Sequence, residues 1–197
     1  MAKKDGYHHG DLRATLVEAA RRLVEEKGPD RLTMSDACRA AGVSTAAPYR
    51  HFADMDAILL AVVSEGMERQ RAAMEAAAAA HPRGSIAAVA AIGVAYVDFA
   101  RAEPGLFRAM FALTRRHSGD DDLMAAGRAT FGVVLAQIAA RMGLAPDDPR
   151  VVDRGFKLWS LAHGVSFLII DEKVEKMGAA LDVPAMLLDV ATRMLND

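Results

Sequence analysis

Three observations predict that this 197-residue chain is all-α. Apolar residues return at intervals of three and four in segment after segment, which is the period of a helix with one buried face. Most segments open on a residue that can cap a helix (Asp11, Thr33, Ser44, Asp54, Ser85 or Asp148) and close on glycine or proline. The alanine run from Ala76 to Ala80 adds a strong helix former.

Residues 3–10 are expected to form a flexible arm. Its His8-His9 pair suits a phosphate better than a metal ion, because the only nearby further ligand is Asp5. From Asp11 to Lys27 the residues Leu12, Leu16, Ala20, Leu23 and Val24 mark one helix face, and Gly28-Pro29 stops it. The stretch from Leu32 to Phe52 predicts two short helices around a tight turn. Thr33 caps the first and Asp36, three residues on, completes a capping box, while Met34, Ala37, Cys38 and Ala41 supply an apolar face. Gly42 suits the left-handed conformation that ends a helix. Ser44 is then placed to cap a second helix from Thr45 to about Phe52, with Pro48 tolerated in its first turn. That spacing is helix-turn-helix. The exposed side of the second helix carries Thr45, Tyr49, Arg50 and His51, side chains that reach phosphates or base edges.

Asp54 is expected to cap a long helix through Ile58, Leu59, Val62, Val63, Met67 and Met74 to residue 80, ended by His81-Pro82-Arg83-Gly84. Ser85 caps the next, with Ile86, Val89, Ala90, Gly93, Val94 and Val97 on its buried face. Pro104 opens another that contains Leu106, Phe107, Met110 and Phe111. Residues 115–122 read as a charged loop. Its consecutive aspartates lack the glycine turn and bidentate glutamate of a calcium loop. A helix from about Leu123 to Met142 follows, then one capped by Asp148 whose residues Phe156, Trp159, His163, Phe167 and Ile170 form an apolar stripe. A final helix is predicted from Pro184 to Leu195.

The composition, 52% hydrophobic, can fill a substantial core. No apolar run is expected to span a bilayer and the first residues have no signal-type segment, so the expected location is the cytoplasm. The single cysteine, Cys38, excludes an internal disulfide and reads as a small core residue. The net charge of −2 is unevenly spread: residues 1–53 hold nine Lys/Arg against seven Asp/Glu, or +2, and the rest 15 against 19, or −4. So small a basic excess predicts modest non-specific binding to nucleic acid and a need for two half-sites.

Gly42-Val43-Ser44 followed by Tyr49-Arg50-His51-Phe52 resembles the DNA-binding signature of the TetR/AcrR family of bacterial transcriptional regulators. The resemblance implies an N-terminal three-helix DNA-binding domain, here residues 1–53. It also implies a larger helical domain, residues 54–197, that dimerises and binds an effector, with the 54–80 helix as the link. It places DNA contacts at Thr33, Ser44, Thr45, Ala46, Ala47, Tyr49, Arg50 and His51. Three residues depart from the family pattern: Ala46 stands for the usual glycine, Pro48 for leucine, and Met55 for a phosphate-contacting lysine. The methyl groups of Ala46 and Ala47 can meet a thymine methyl but form no bidentate bond, so sequence preference would lean on Thr45, Arg50 and DNA shape. Losing the lysine removes one phosphate contact, a salt slope shallower by roughly 0.9.

Leu158-Trp159-Ser160-Leu161-Ala162-His163-Gly164 resembles the Trp-His-Gly motif of one C-terminal domain type of that family. His163 is then either a buried imidazole held by a backbone or hydroxyl partner, or the polar anchor of an apolar effector pocket lined by Trp159, Phe107, Met110 and Phe111. The resemblance implies a homodimer, here through the apolar stripes of the last two helices. No cofactor, metal or membrane partner is expected. An enzyme is disfavoured by the lack of a phosphate loop, a His-Glu-x-x-His motif or a nucleophile elbow. A helical small-molecule carrier or interaction module would share the C-terminal half but leaves Thr33 to Phe52 unexplained.

Overall fold

The computed structural model describes residues 12–117 and 119–196. The expected N-terminal arm, the His8-His9 pair and the Asp11 cap lie outside the described residues. Those described form helices and loops only: α1 (Leu12–Lys27), α2 (Met34–Ala41), α3 (Met55–Ala79), α4 (Ile86–Ala102), α5 (Pro104–Arg116), α6 (Asp121–Met142), α7 (Pro149–Ile170), α8 (Lys173–Lys176) and α9 (Val183–Leu195).

The caps carry most of the boundaries. Asp54 accepts the Ala57 amide at 2.9 Å, Ser85 that of Ala88 at 3.0 Å and Asp182 that of Ala185 at 3.0 Å. Each satisfies a donor that the first helical turn leaves free. The predicted charged loop is shorter than expected, because Asp120 caps α6 and Asp121 and Asp122 form its first turn, where acidic side chains suit the positive end of the helix dipole. The short α8 was not predicted.

The helices enclose one continuous core running from Leu16 in α1 to Leu195 in α9. Long helix α3 packs on α1, α4, α5 and α6, while α4 packs on α7 and α9. α6 departs from expectation, since its length and composition would allow it to cross a membrane. Here it is one helix of the bundle, with Val134, Ile138 and Ala139 buried. The predicted α7 stripe is also displaced. Small residues Gly155, Ala162 and Ser166 turn inward with Val151, Leu158 and Val165, while Phe156 is half exposed. A side chain on Gly155 would sit 2.4 Å from Leu135, so neighbouring helices come too close for the aromatic stripe to be the innermost face.

Candidate nucleic-acid interface and ligand cavity

α2 begins and ends as its sequence dictates. Thr33 and Asp36 form both bonds of the capping box, and Gly42 takes the left-handed conformation at φ 68°. The Thr33 hydroxyl donates to Asp36 at 2.6 Å, which holds that carboxyl below the usual carboxylate range. Cys38 is buried and burial pushes its thiol up, consistent with an inert core residue.

The predicted second helix, Thr45 to Phe52, does not form. A turn at 45–47 leads into a 3-10 helix over Pro48–Arg50, and no side chain caps it, so Ser44 is not the cap it was expected to be. Pro48 supplies the physical reason. Lacking an N–H, it cannot donate to the Ser44 carbonyl four residues back. Ala47 donates there instead at 3.1 Å, and His51 closes on the Pro48 carbonyl at 2.8 Å, the tighter bonding pattern. Pro48 and Phe52 point inward and are buried, fastening the segment to the domain. Arg13 lies over the Phe52 ring, 5.5 Å from its centroid.

Tyr49, Arg50 and His51, between these two anchors, face out, and so do most of the other residues expected to contact DNA. Thr33, Ser44, Thr45, Ala46, Arg50 and His51 are exposed, Ala47 is half-buried, and Tyr49 is 63% exposed. Burial alone does not explain a large aromatic held outward between two inward anchors. Arg50 is exposed and makes no ion pair among the described residues, so its guanidinium is available to a phosphate or a base edge.

The second site is a cavity of about 360 Å³ between α3, α4, α5, α6 and α7, within the size range of small-molecule sites. Of the residues predicted to line it, Trp159, Met110 and Phe111 do; Phe107 and His163 do not. Phe107 is fully buried, edge-on to Tyr96 at 5.5 Å and to Phe111 at 5.1 Å, so it supports the wall from behind. His163 sits among Trp159, Phe111 and Phe167 with ring centroids 5.2, 4.4 and 4.9 Å away. Its Nδ1 meets the Tyr96 hydroxyl at 3.0 Å, and the Trp159 indole N–H donates to that same oxygen at 3.3 Å. An indole nitrogen only donates, so Tyr96 accepts from Trp159, and in the tautomer with its proton on Nε2 the His163 Nδ1 accepts the tyrosine proton. Burial lowers the His163 pKa, in keeping with a neutral ring. Gln70, on the cavity wall and 2% exposed, was missed: it sits in an apolar stripe of α3, and polar identity at one core position was the only signal.

α5 links α1 to the cavity. Glu25 of α1 accepts the Gly105 and Leu106 amides at 2.8 and 2.7 Å, capping α5 from another helix. Glu103 beside it is held by Arg21 of α1 at 3.0 Å and Arg69 of α3 at 2.7 Å. At the far end Arg116 pairs with Asp30 at 2.8 Å. The middle of the same helix presents Met110, Phe111 and Thr114 to the cavity.

Residues 16–62 match the family described as bacterial regulatory proteins, tetR family, and residues 89–195 match the tetracyclin repressor-like C-terminal domain. Over 106 residues, 53% of this chain and 52% of the relative, the sequence is 30% identical to the HTH-type transcriptional regulator BetI of Rhizobium meliloti (strain 1021). The chain thus matches about half the length of that curated relative. A protein of unknown function from Rhodococcus sp. RHA1 superposes with a TM-score of 0.81 at 27% identity, covering 98% of both chains. The TetR family regulator PfmR of Thermus thermophilus has the same fold, with a TM-score of 0.67 at 18% identity over 92% of this chain and 97% of that one.

Proposed function

The chain belongs to the TetR family of bacterial regulatory proteins, which are DNA-binding regulators, and on that premise we propose that it is a ligand-responsive, cytoplasmic repressor acting as a homodimer. In this reading residues 1–53 bind DNA, and residues 54–197 dimerise and bind an apolar effector. Thr33, Ser44, Thr45, Ala46, Ala47, Tyr49, Arg50 and His51 form the DNA face. Relatives of assigned role are transcriptional regulators, and we assign this chain no enzymatic activity.

The observation that carries the reading is the outward Tyr49-Arg50-His51 row held between buried Pro48 and Phe52. A dimer presents that row twice, to successive major grooves of a pseudo-palindromic operator. Exposed Leu168 on α7 and Leu188 on α9 supply apolar surface for the subunit contact. The cavity sits where filling it bears on α5, and α5 is tied by Glu25, Arg21 and Asp30 to the DNA-binding half. An effector that fits only one α5 position therefore biases the separation of the two DNA faces.

The test is a gel shift on the DNA upstream of its own coding sequence, with the molecular mass in solution measured alongside. A dimer that shifts the fragment is expected. An unshifted fragment from a correctly folded dimer would instead favour a carrier or interaction module.

A further inference from the structure

The cavity meets solvent at a chemically distinctive edge. Of the described residues that line it, Arg128 of α6 and Phe156 of α7 are the exposed ones, and the Arg128 guanidinium is the only charged group on the wall. Elsewhere in the same half of the chain the arginines are mostly occupied: Arg108 pairs with Asp171, Arg116 with Asp30, Arg150 with Asp148 and Arg193 with Asp189. Arg128 makes no hydrogen bond or ion pair among the described residues. Behind it methionine and aromatic side chains dominate the wall, and the polar groups are committed. The Thr114 and Thr130 hydroxyls donate to the carbonyls of Met110 and Ala126 in their own helices, and the Tyr96 hydroxyl serves both Trp159 and His163. The Gln70 side-chain nitrogen is fully buried, out of reach of a ligand.

We infer that the cavity takes a monocarboxylate with an apolar body, its carboxylate held by Arg128 at the mouth. This rests on the cavity being the effector site of the regulator proposed above. The charge balance selects the head group. An ammonium would meet a like charge and no carboxylate, and a neutral polar group would find its candidate partners already bonded or sealed off. A phosphate monoester carries close to two charges at neutral pH, and a single guanidinium matches only one. Depth follows from the same chemistry. A carboxylate placed among the methionines and aromatics would be desolvated and unpaired, so the head stays at the edge and the body goes in. The volume sets the size of that body: about 360 Å³ is about a dozen water volumes at about 30 Å³ each, room for about ten carbons.

Trp159 is the only tryptophan of the chain and lines the cavity, so its fluorescence reads occupancy directly. The purified full-length protein is titrated with decanoate, 1-decanol and decylammonium, one body with three head groups, below micelle-forming concentrations and at about pH 7.5, where both ions are charged. Decanoate should bind about threefold to fivefold more tightly than decanol, the scale of an exposed ion pair, and decylammonium more weakly than either. In Arg128→Gln decanoate and decanol should bind alike, at the affinity decanol has for the wild type. In Arg128→Glu the order should reverse, with decylammonium the tightest. The side chain is exposed, so both variants should keep the melting temperature and molecular mass of the wild type. Equal binding of decanoate and decanol by the wild type would overturn the inference. So would a carboxylate advantage that survives Arg128→Gln, a wild-type preference for decylammonium, or no change in Trp159 emission with any probe. Because the titration contains no DNA, it can fail while operator binding stands. Carboxylate binding that releases no operator in a parallel gel shift would leave the ligand class intact and remove the effector role.

Discussion

The exposed segment at 42–52 is fixed by residues within about ten positions of one another, whereas the cavity draws Gln70, Tyr96, Phe111, Phe131 and Trp159 from five different helices. The first is a local arrangement: Gly42 turns the chain, Pro48 denies it a full α-helix, and buried Pro48 and Phe52 hold Tyr49 outward. The second exists only after packing. A substitution in the segment should therefore damage one function without touching the fold, while a substitution near the cavity spreads through the helices that share it. α5 lies between the two regions, with its ends tied to α1 and to Asp30 and its middle on the cavity.

Tyr49→Ala should separate the regions most sharply. The side chain is 63% exposed, so its loss should leave melting temperature and dimer mass unchanged. Each base or phosphate contact is used twice in a dimer, so at about 1–3 kcal/mol apiece operator binding should weaken by about 2–6 kcal/mol. Gel shift and analytical ultracentrifugation read the two properties separately. Retained operator affinity would sink the assignment of this face.

Gly105→Ala attacks the junction. A methyl group there would lie 2.7 Å from the Val24 carbonyl oxygen and 2.8 Å from the Glu25 Cα, both backbone atoms that cannot swing aside. α5 must back away from α1, at roughly 1–3 kcal/mol of stability for an overpacked contact. Glu25→Ala is gentler, removing the cap of the same helix at about 0.5–2 kcal/mol. If α5 carries the signal, both variants should bind ligand and operator but respond less to one in the presence of the other. Full induction in both, measured by operator release on titrating ligand, would show that the packing of α5 on Val24 and Glu25 does not carry the signal.

These contrasts explain what the sequence revealed. The caps at Thr33, Asp54, Ser85 and Asp148 were legible because a cap is a relation between residues two or three apart. The exposure of Thr45, Tyr49, Arg50 and His51 was legible but the helix expected to carry them does not form, because the missing N–H of Pro48 costs more than a first-turn proline should. The cavity was half legible. Trp159, Met110 and Phe111 stood out as large apolar groups, but whether each faces the void or its outer shell depends on the packing of α4 and α6. His163 lost its place to Tyr96, which lies on a different helix and takes its hydrogen bond.

Pro48→Ala sharpens the local half of the comparison. It restores an N–H that can donate to the Ser44 carbonyl, and residues 45–51 should then adopt α-helical shifts with slower amide exchange by NMR. Stability should change by less than about 1 kcal/mol, since the recovered bond is opposed by the greater freedom of the unfolded chain without proline. An unaltered 3-10 turn would mean that Phe52 and Arg13, rather than the imino ring, set its geometry.

The smallest effect expected is a pH dependence confined to the cavity side. Burial holds the His163 pKa below its ordinary value of 6.5, so as pH falls below 6.5 the unfolded chain takes up the proton first. Stability contributed by the neutral ring is thus complete above that value and declines on acidification, until the folded protein is protonated too. Protonation also turns Nδ1 from acceptor to donor, which forces the Tyr96 hydroxyl proton away from it and breaks the chain from Trp159 to His163. His163→Asn keeps a polar partner for Tyr96 but does not titrate. Between about pH 7.5 and about pH 5.5 the wild type should lose more melting temperature than this variant, while Tyr49→Ala should track the wild type. Equal losses in wild type and His163→Asn would mean that the ring takes up its proton as readily in the fold as in the unfolded chain, and that its burial does not hold it neutral.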